Sequence, residues 1–210
     1  MKDRRAHWER LYTTRPITHV GWYRPHLDTS LAFIQALDLP RSARILDVGG
    51  GASTLVDDLL ALGFEAITVL DLSAAALDQA RARLGERAER ITWVTADITE
   101  VSLPAAAYDL WHDRAVFHFL TAPEERARYL EQLRTALRPG GFVILATFAP
   151  EAPPTCSGLP VVRYDLDTLV RTIGPGFRLV RHGREHHVTP GGVEQPYLYA
   201  CFQRDAGSRP

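Results

Sequence analysis

Three carboxylates and a run of three glycines are the residues of this sequence best placed to do chemistry. Asp47 opens the segment DVGGG, and Gly49, Gly50 and Gly51 follow it. A backbone without Cβ atoms lets a ligand come close. A carboxylate at the mouth of such a loop repels a pyrophosphate and attracts an ammonium or a sulfonium. Asp71 lies 22 residues beyond Gly49, next to Leu72, and Asp97 stands before Ile98. Further on, the tip HDRAVFHF gathers His112, Asp113, Arg114 and His118. If a helix begins at Asp113, Arg114 and His118 share one face. They would then orient an acceptor or hold its proton.

The elements that must position these groups are legible from apolar spacing. Ile45, Leu46 and Val48 make a short buried strand ending at the glycines. Ser53 caps a helix carrying Leu55, Val56, Leu59 and Leu60, which Gly63 stops. AITVLDLS is a second strand closing on Asp71, followed by a helix capped by Ser73 and ended by Gly85. ITWVTADIT is a third strand, Tyr108 to Trp111 a fourth and FVILATF a fifth. Thr121 and Glu124 have the spacing of a capping box for the helix between the last two. FRLVRHGREHHV and EQPYLYACFQR flank the turn TPGG as an antiparallel hairpin. Strands alternating with helices imply right-handed βαβ units and a parallel sheet. All three aspartates then sit at or near carboxyl ends of successive strands. There Asp71 accepts both hydroxyls of a ribose, and Asp97 accepts from an adenine amino group while Ile98 donates from its backbone.

Residues 1–40 read as an N-terminal helical cap, with Trp8, Leu11 and Tyr12 on one helical face and Trp22 and Tyr23 beside a turn. Residues 41–204 form one α/β domain with this cap, and 205–210 a disordered tail. The formal charge of −1 gives no footprint for nucleic acid. No apolar run approaches a membrane span and MKDRRAHWER opens no signal peptide, so a cytoplasmic protein is expected. Two cysteines, Cys156 and Cys201, are too few for a disulfide framework or a zinc cluster. Cys156 falls in a loop able to cover an acceptor, without a base beside it. His182, His186 and His187 lie on a strand, where residues four apart are roughly 13 Å distant, so no metal is expected.

In order, DVGGG, LDLS, ADIT, YDLWHD and LRPGG resemble the motifs of class I S-adenosylmethionine-dependent methyltransferases, in particular the type-11/type-12 group. The resemblance runs from about Arg44 to Phe148. It implies a Rossmann-like seven-stranded fold, mostly parallel, with helices on both faces and a C-terminal antiparallel hairpin. It also implies cofactor contacts at the Gly49–Gly51 backbone, the ribose on Asp71, the adenine on Asp97, and the methionyl part near His112 and Asp113. An N-terminal lid over the cofactor is common in this family, which brings in Trp22 and Tyr23. The expected reaction is direct in-line methyl transfer to a small-molecule nucleophile, possibly a thiol or other chalcogen, with Arg114 and His118 on the acceptor side. Alternatives are a protein lysine methyltransferase and a non-catalytic cofactor-binding or scaffold protein. An NAD(P) site is opposed by Asp47 and by Thr54, which stands where a dinucleotide fingerprint has its third glycine. The oligomeric state stays open.

Overall fold

A computed structural model describes residues 4–207. Seven strands form one sheet: β1 (Arg44–Val48), β2 (Ala66–Asp71), β3 (Ile91–Thr95), β4 (Tyr108–Arg114), β5 (Leu137–Phe148), β6 (Phe177–Val188) and β7 (Glu194–Arg204). Their order is β3-β2-β1-β4-β5-β7-β6. The first five are parallel, and β7 runs antiparallel to both β5 and β6. This is the expected Rossmann-like fold with its C-terminal hairpin. The chain direction across the sheet reverses between β1 and β4, and ligands bind at the carboxyl ends of such a switch point.

Six helices accompany the sheet: α1 (Arg4–Thr14), α2 (Asp28–Gln35), α3 (Leu55–Ala61), α4 (Ala74–Leu84), α5 (Pro123–Ala136) and α6 (Leu166–Ile173). Leu55, Val56, Leu59 and Leu60 of α3 pack on one face of the sheet, with Phe33 and Ile34 of α2. Tyr129, Leu130 and Leu133 of α5 and Leu169 and Ile173 of α6 cover the other. No helix among the described residues is long and apolar enough to cross a membrane.

Two local expectations move by a residue or two. Ser53 lies one place before the helix-capping position, and its hydroxyl accepts from Leu55 N–H at 3.2 Å. The box expected at Thr121 and Glu124 does not form. One residue on, Glu125 supplies half of one, its carboxylate accepting from Ala122 N–H at 3.3 Å, while alanine has no side-chain acceptor to return. Pro123 decides this, because proline favours the first helical position and so fixes where the helix begins. The predicted cap Ser73 accepts from Ala76 N–H, and Asp165 caps α6 by accepting from Thr168 N–H. At the C-terminus, Asp205 falls in the expected tail but is tied to the body. Asp205 N–H donates to Gly176 O at 2.9 Å, while residues 208–210 lie outside the described residues.

The largest difference is at β4. The expected strand stops at Trp111 and a helix starts at Asp113. Instead β4 runs to Arg114, because both its neighbours extend the ladder: Val48 faces Asp113, and Ala146 faces Arg114. The strand ends at Ala115, whose φ of 72° takes the chain out of the sheet.

Candidate active site

The side-chain alternation of strands sorts the polar residues. Asp47, His112, Arg114 and Tyr199 point to the face covered by α2 and α3, whereas Asp113 points to the face covered by α5. The expected trio of His112, Asp113 and Arg114 is therefore split.

On the first face the polar groups form a continuous line. Arg114 Nε donates to Tyr199 Oη at 3.0 Å. Tyr199 and Ser30 hydroxyls are 3.3 Å apart, Ser30 Oγ is 2.9 Å from His112 Nε2, and His112 Nδ1 is 2.7 Å from Asp47 Oδ1. A carboxylate only accepts, so His112 Nδ1–H donates to Asp47, and a neutral ring then accepts at Nε2 from Ser30. Arg114 also donates to Glu185 at 2.8 Å and lies 4.4 Å over the ring of Tyr197. Burial works against its charge, but the two tyrosines and Glu185 outweigh it and hold the guanidinium protonated more firmly than usual.

On the other face Asp113 is fully buried. It accepts from Tyr129 Oη at 2.6 Å and from Val116 N–H at 2.8 Å. Burial raises it to about 6. Its work is to fix the turn that leaves β4, and it lines no part of the cavity. His118 is likewise removed from the acceptor side. It sits in a single turn of 3-10 helix (Phe117–Phe119), wholly buried, with Nδ1 accepting from Phe148 N–H at 3.3 Å. Burial, aided by Arg114, lowers it to about 3. The shared helical face expected for Arg114 and His118 fails because no α-helix joins them.

A cavity of about 110 Å³ opens at the switch point. Asp71, Leu72, Asp97 and Ile98 line one end, and Arg114, Phe119 and Cys156 lie among its other walls, with Gly49 at the floor. Trp8 and Tyr12 of α1 and Trp22 roof it. An adjoining hollow shares Trp22, Gly49 and Arg114 and adds Tyr23, Asp47, Gly50 and His112. Of the expected residues, Gly51, Asp113 and His118 line neither. The wall residues missed by the sequence reading are Arg4, Trp8, Tyr12, Val116 and Phe119. The helical spacing of Trp8 and Tyr12 was visible, but it marks a packed face as readily as a ligand wall. Among the described residues no cluster of three metal-ligating side chains forms; His187 Nε2 instead donates to Gly21 O at 2.6 Å.

The glycines serve the carboxylates as well as a ligand. A Cβ on Gly50 would collide with Asp47 Oδ2, and one on Gly51, where φ is 42°, would come within 2.7 Å of Asp71 Oδ2. Asp71 Oδ1 accepts from Ser73 N–H at 2.8 Å, and Leu72 N–H is a second backbone donor to this carboxylate. Burial pushes this carboxyl up to about 7, with Asp47 and Glu9 adding repulsion against the backbone donors that oppose it. Asp97 Oδ1 is taken by Thr99. A glycine cradle and two strand-end carboxylates fit a ligand that presents hydroxyl, amino and cationic groups and no phosphate.

Fold and site together define a nucleoside-binding α/β protein of the Rossmann-like type. A family model described as methyltransferase domain matches residues 45–141. Residues 45–141 thus match a methyltransferase domain, and the sheet is that of solved S-adenosylmethionine-dependent methyltransferases. It is 27% identical over 197 residues to the EEF1A lysine methyltransferase 2 of Danio rerio, covering 90% of this chain and 78% of that one. The match to the eEF1A lysine and N-terminal methyltransferase of Mus musculus, 24% identical, covers 68% of this chain but only 21% of the mouse protein. Among solved structures, one concerning conversion of a disulfide bond into a thioacetal group during echinomycin biosynthesis superposes with a TM-score of 0.78. It covers 98% of this chain and 94% of that one at 19% identity. The 1,6-didemethyltoxoflavin-N1-methyltransferase of Burkholderia thailandensis, solved with S-adenosylhomocysteine, gives 0.68 at 21% identity, covering 85% of this chain and 77% of that one.

Proposed function

We propose that this methyltransferase acts on a small-molecule nucleophile that enters the cavity as an anion, a thiolate or related chalcogenide. S-adenosylmethionine supplies a methyl group already activated by its sulfonium. In this reading Asp71, Leu72, Asp97 and Ile98 hold the nucleoside. Gly49, Gly50 and Gly51 present backbone, Asp47 draws the ammonium, and Trp22 and Tyr23 close over it.

The observation that carries the acceptor class is Arg114. Its guanidinium lines the cavity, and Glu185 is shared between Arg114 at 2.8 Å and Arg24 at 3.7 Å. Arg24 also reaches Asp28 at 3.9 Å, but that carboxylate is exposed and screened by solvent. At the buried end two cations therefore share Glu185, which favours an anion and opposes an ammonium. Cys156 offers no base here, because burial pushes its thiol up to about 11, and His118 lines neither hollow. An acceptor that ionises on its own needs only to be positioned by Arg114 and stripped of water by the aromatic roof.

The identity to the Danio rerio protein over 90% of the chain supports a second reading, a protein lysine as acceptor. Release of S-adenosylhomocysteine, measured over small thiols, amines, phenols and lysine peptides, separates the two. The first reading requires turnover that rises with thiolate fraction. Faster turnover on amines or peptides would favour the second.

A further inference from the structure

Helix α1 lies across the cavity mouth and is fastened on both sides. Toward α5, Arg4 donates to Phe119 O at 3.1 Å and pairs with Glu125 at 2.6 Å. Toward α4, Gln79 Nε2 donates to Tyr12 O at 2.5 Å. A further tie is Glu9. Its Oε2 accepts from Ser73 Oγ at 2.8 Å, and its Oε1 accepts from Ala75 N–H at 3.2 Å. Apolar contact between α1 and the body rests on Trp8, Leu11 and Tyr12 against Ala52, Ala75 and Ala76, with Trp8 also against Trp22 and Phe119.

Ser73 is the hinge of this arrangement. It is fully buried, its Oγ caps α4 through Ala76 N–H at 3.2 Å, and its own N–H donates to Asp71 Oδ1 at 2.8 Å. Glu9 thus reaches the carboxylate facing the cavity through one intermediate residue. With α1 in place, Ser73 is held by Glu9 and Ala76 N–H while its backbone N–H holds the Asp71 carboxylate. With α1 away, Ser73 loses one of these ties. Asp71 also loses a repelling charge, which eases its ionisation, so affinity falls only because the lost positioning outweighs that gain.

We propose that Glu9 is a positioning residue for the ribose-binding carboxylate, and that it couples closure of α1 to retention of the nucleoside. The roof formed by Trp8 and Tyr12 makes opening of α1 a condition for exchange. The Glu9–Ser73–Asp71 link makes its closing a condition for tight binding. Gln79 fastens the same helix through Tyr12 O and lines neither hollow. The two ties therefore differ in what they control: Gln79 governs access alone, and Glu9 governs access and affinity.

Stopped-flow tryptophan fluorescence with S-adenosylhomocysteine tests this on the full-length chain, since Trp8 and Trp22 line the cavity. Gln79→Ala should raise the association and dissociation rates together, leaving Kd within about twofold. Glu9→Ala should raise both rates, dissociation by roughly tenfold more than association, and so weaken Kd by roughly tenfold, the order of one lost hydrogen bond to a charged group. Glu9→Gln keeps an acceptor for Ser73 Oγ and should recover most of the affinity, which also serves if the alanine variant folds poorly. Hydrogen exchange over residues 4–14 should slow on binding in the wild type and less in Glu9→Ala. Equal Kd and dissociation rates for wild type and Glu9→Ala would overturn the proposal. So would a Glu9→Ala profile indistinguishable from that of Gln79→Ala.

Discussion

His112 and Asp47 are 2.7 Å apart, with side chains 1% and 3% exposed, and the imidazole is held from its other side by Ser30 at 2.9 Å. The pair joins the glycine loop to the line of hydroxyls that ends at Arg114. Both ends of that line touch a cavity wall, Asp47 in the adjoining hollow and Arg114 in both. Cutting the line in the middle is the cleanest perturbation. Ser30→Ala leaves His112 Nε2 without its donor and should destabilise by about 1–3 kcal/mol. Urea unfolding measures it, and no change would mean that the hydroxyl line contributes nothing to stability.

Asp71 should make cofactor affinity depend on pH. Its carboxyl is raised to about 7 in the ligand-free protein, and donors from a ribose favour its ionised form. Affinity for S-adenosylhomocysteine should therefore strengthen as pH rises through about 7, by roughly tenfold between pH 6 and 8. The ligand-free protein should respond in the opposite sense. The group binds its proton more tightly folded than unfolded, so its contribution is full below the unfolded value and is lost as pH rises through about 7. Calorimetry and thermal melts across this range check both signs, and Asp71→Asn should flatten each profile.

Arg114→Lys keeps the charge but loses the fork that serves Tyr199 and Glu185 together. Turnover should drop by roughly 10²-fold while S-adenosylhomocysteine affinity changes little, as expected for a residue that orients an acceptor. Parallel losses in both would place Arg114 with the cofactor instead.

His118→Ala and Asp113→Asn should act on stability and leave the pH dependence of turnover alone. His118 is neutral at working pH, with burial lowering it to about 3. Its removal should cost about 2–4 kcal/mol as a core truncation. Asp113→Asn disturbs a carboxylate that accepts from Tyr129, Val116 and Phe117, at about 1–3 kcal/mol. A lost limb in the pH–rate profile of His118→Ala would return that histidine to catalysis.

Those two residues also mark where the sequence stopped being informative. The strands and the order of motifs were legible because apolar runs and glycines impose local conformation. Strand-end positions of Asp47 and Asp71 followed directly. The tip after Trp111 was not legible, because the length of β4 is set by its neighbours β1 and β5, which no local signal reports. One misplaced strand end then assigned Asp113 to the wrong face and gave His118 a helical neighbour it lacks. Ser30, Tyr199 and Glu185 escaped notice for a related reason. They come from α2, β7 and β6, and only the sheet order brings them to Arg114. The hydroxyls and the carboxylate carry no motif of their own.

Gly49 has a consequence for how this chain tolerates change. A methyl group there would run into Val116 Cγ2, a side chain 67 positions later in the sequence. The two loops are thus locked tooth to notch, and neither varies freely. Gly49→Ala alone meets both a positive φ of 69° and a collision, while Val116→Ala in the same molecule removes the collision. A library that randomises the first loop by itself will recover glycine at 49, whereas one that samples 49 and 116 jointly has room for a second solution.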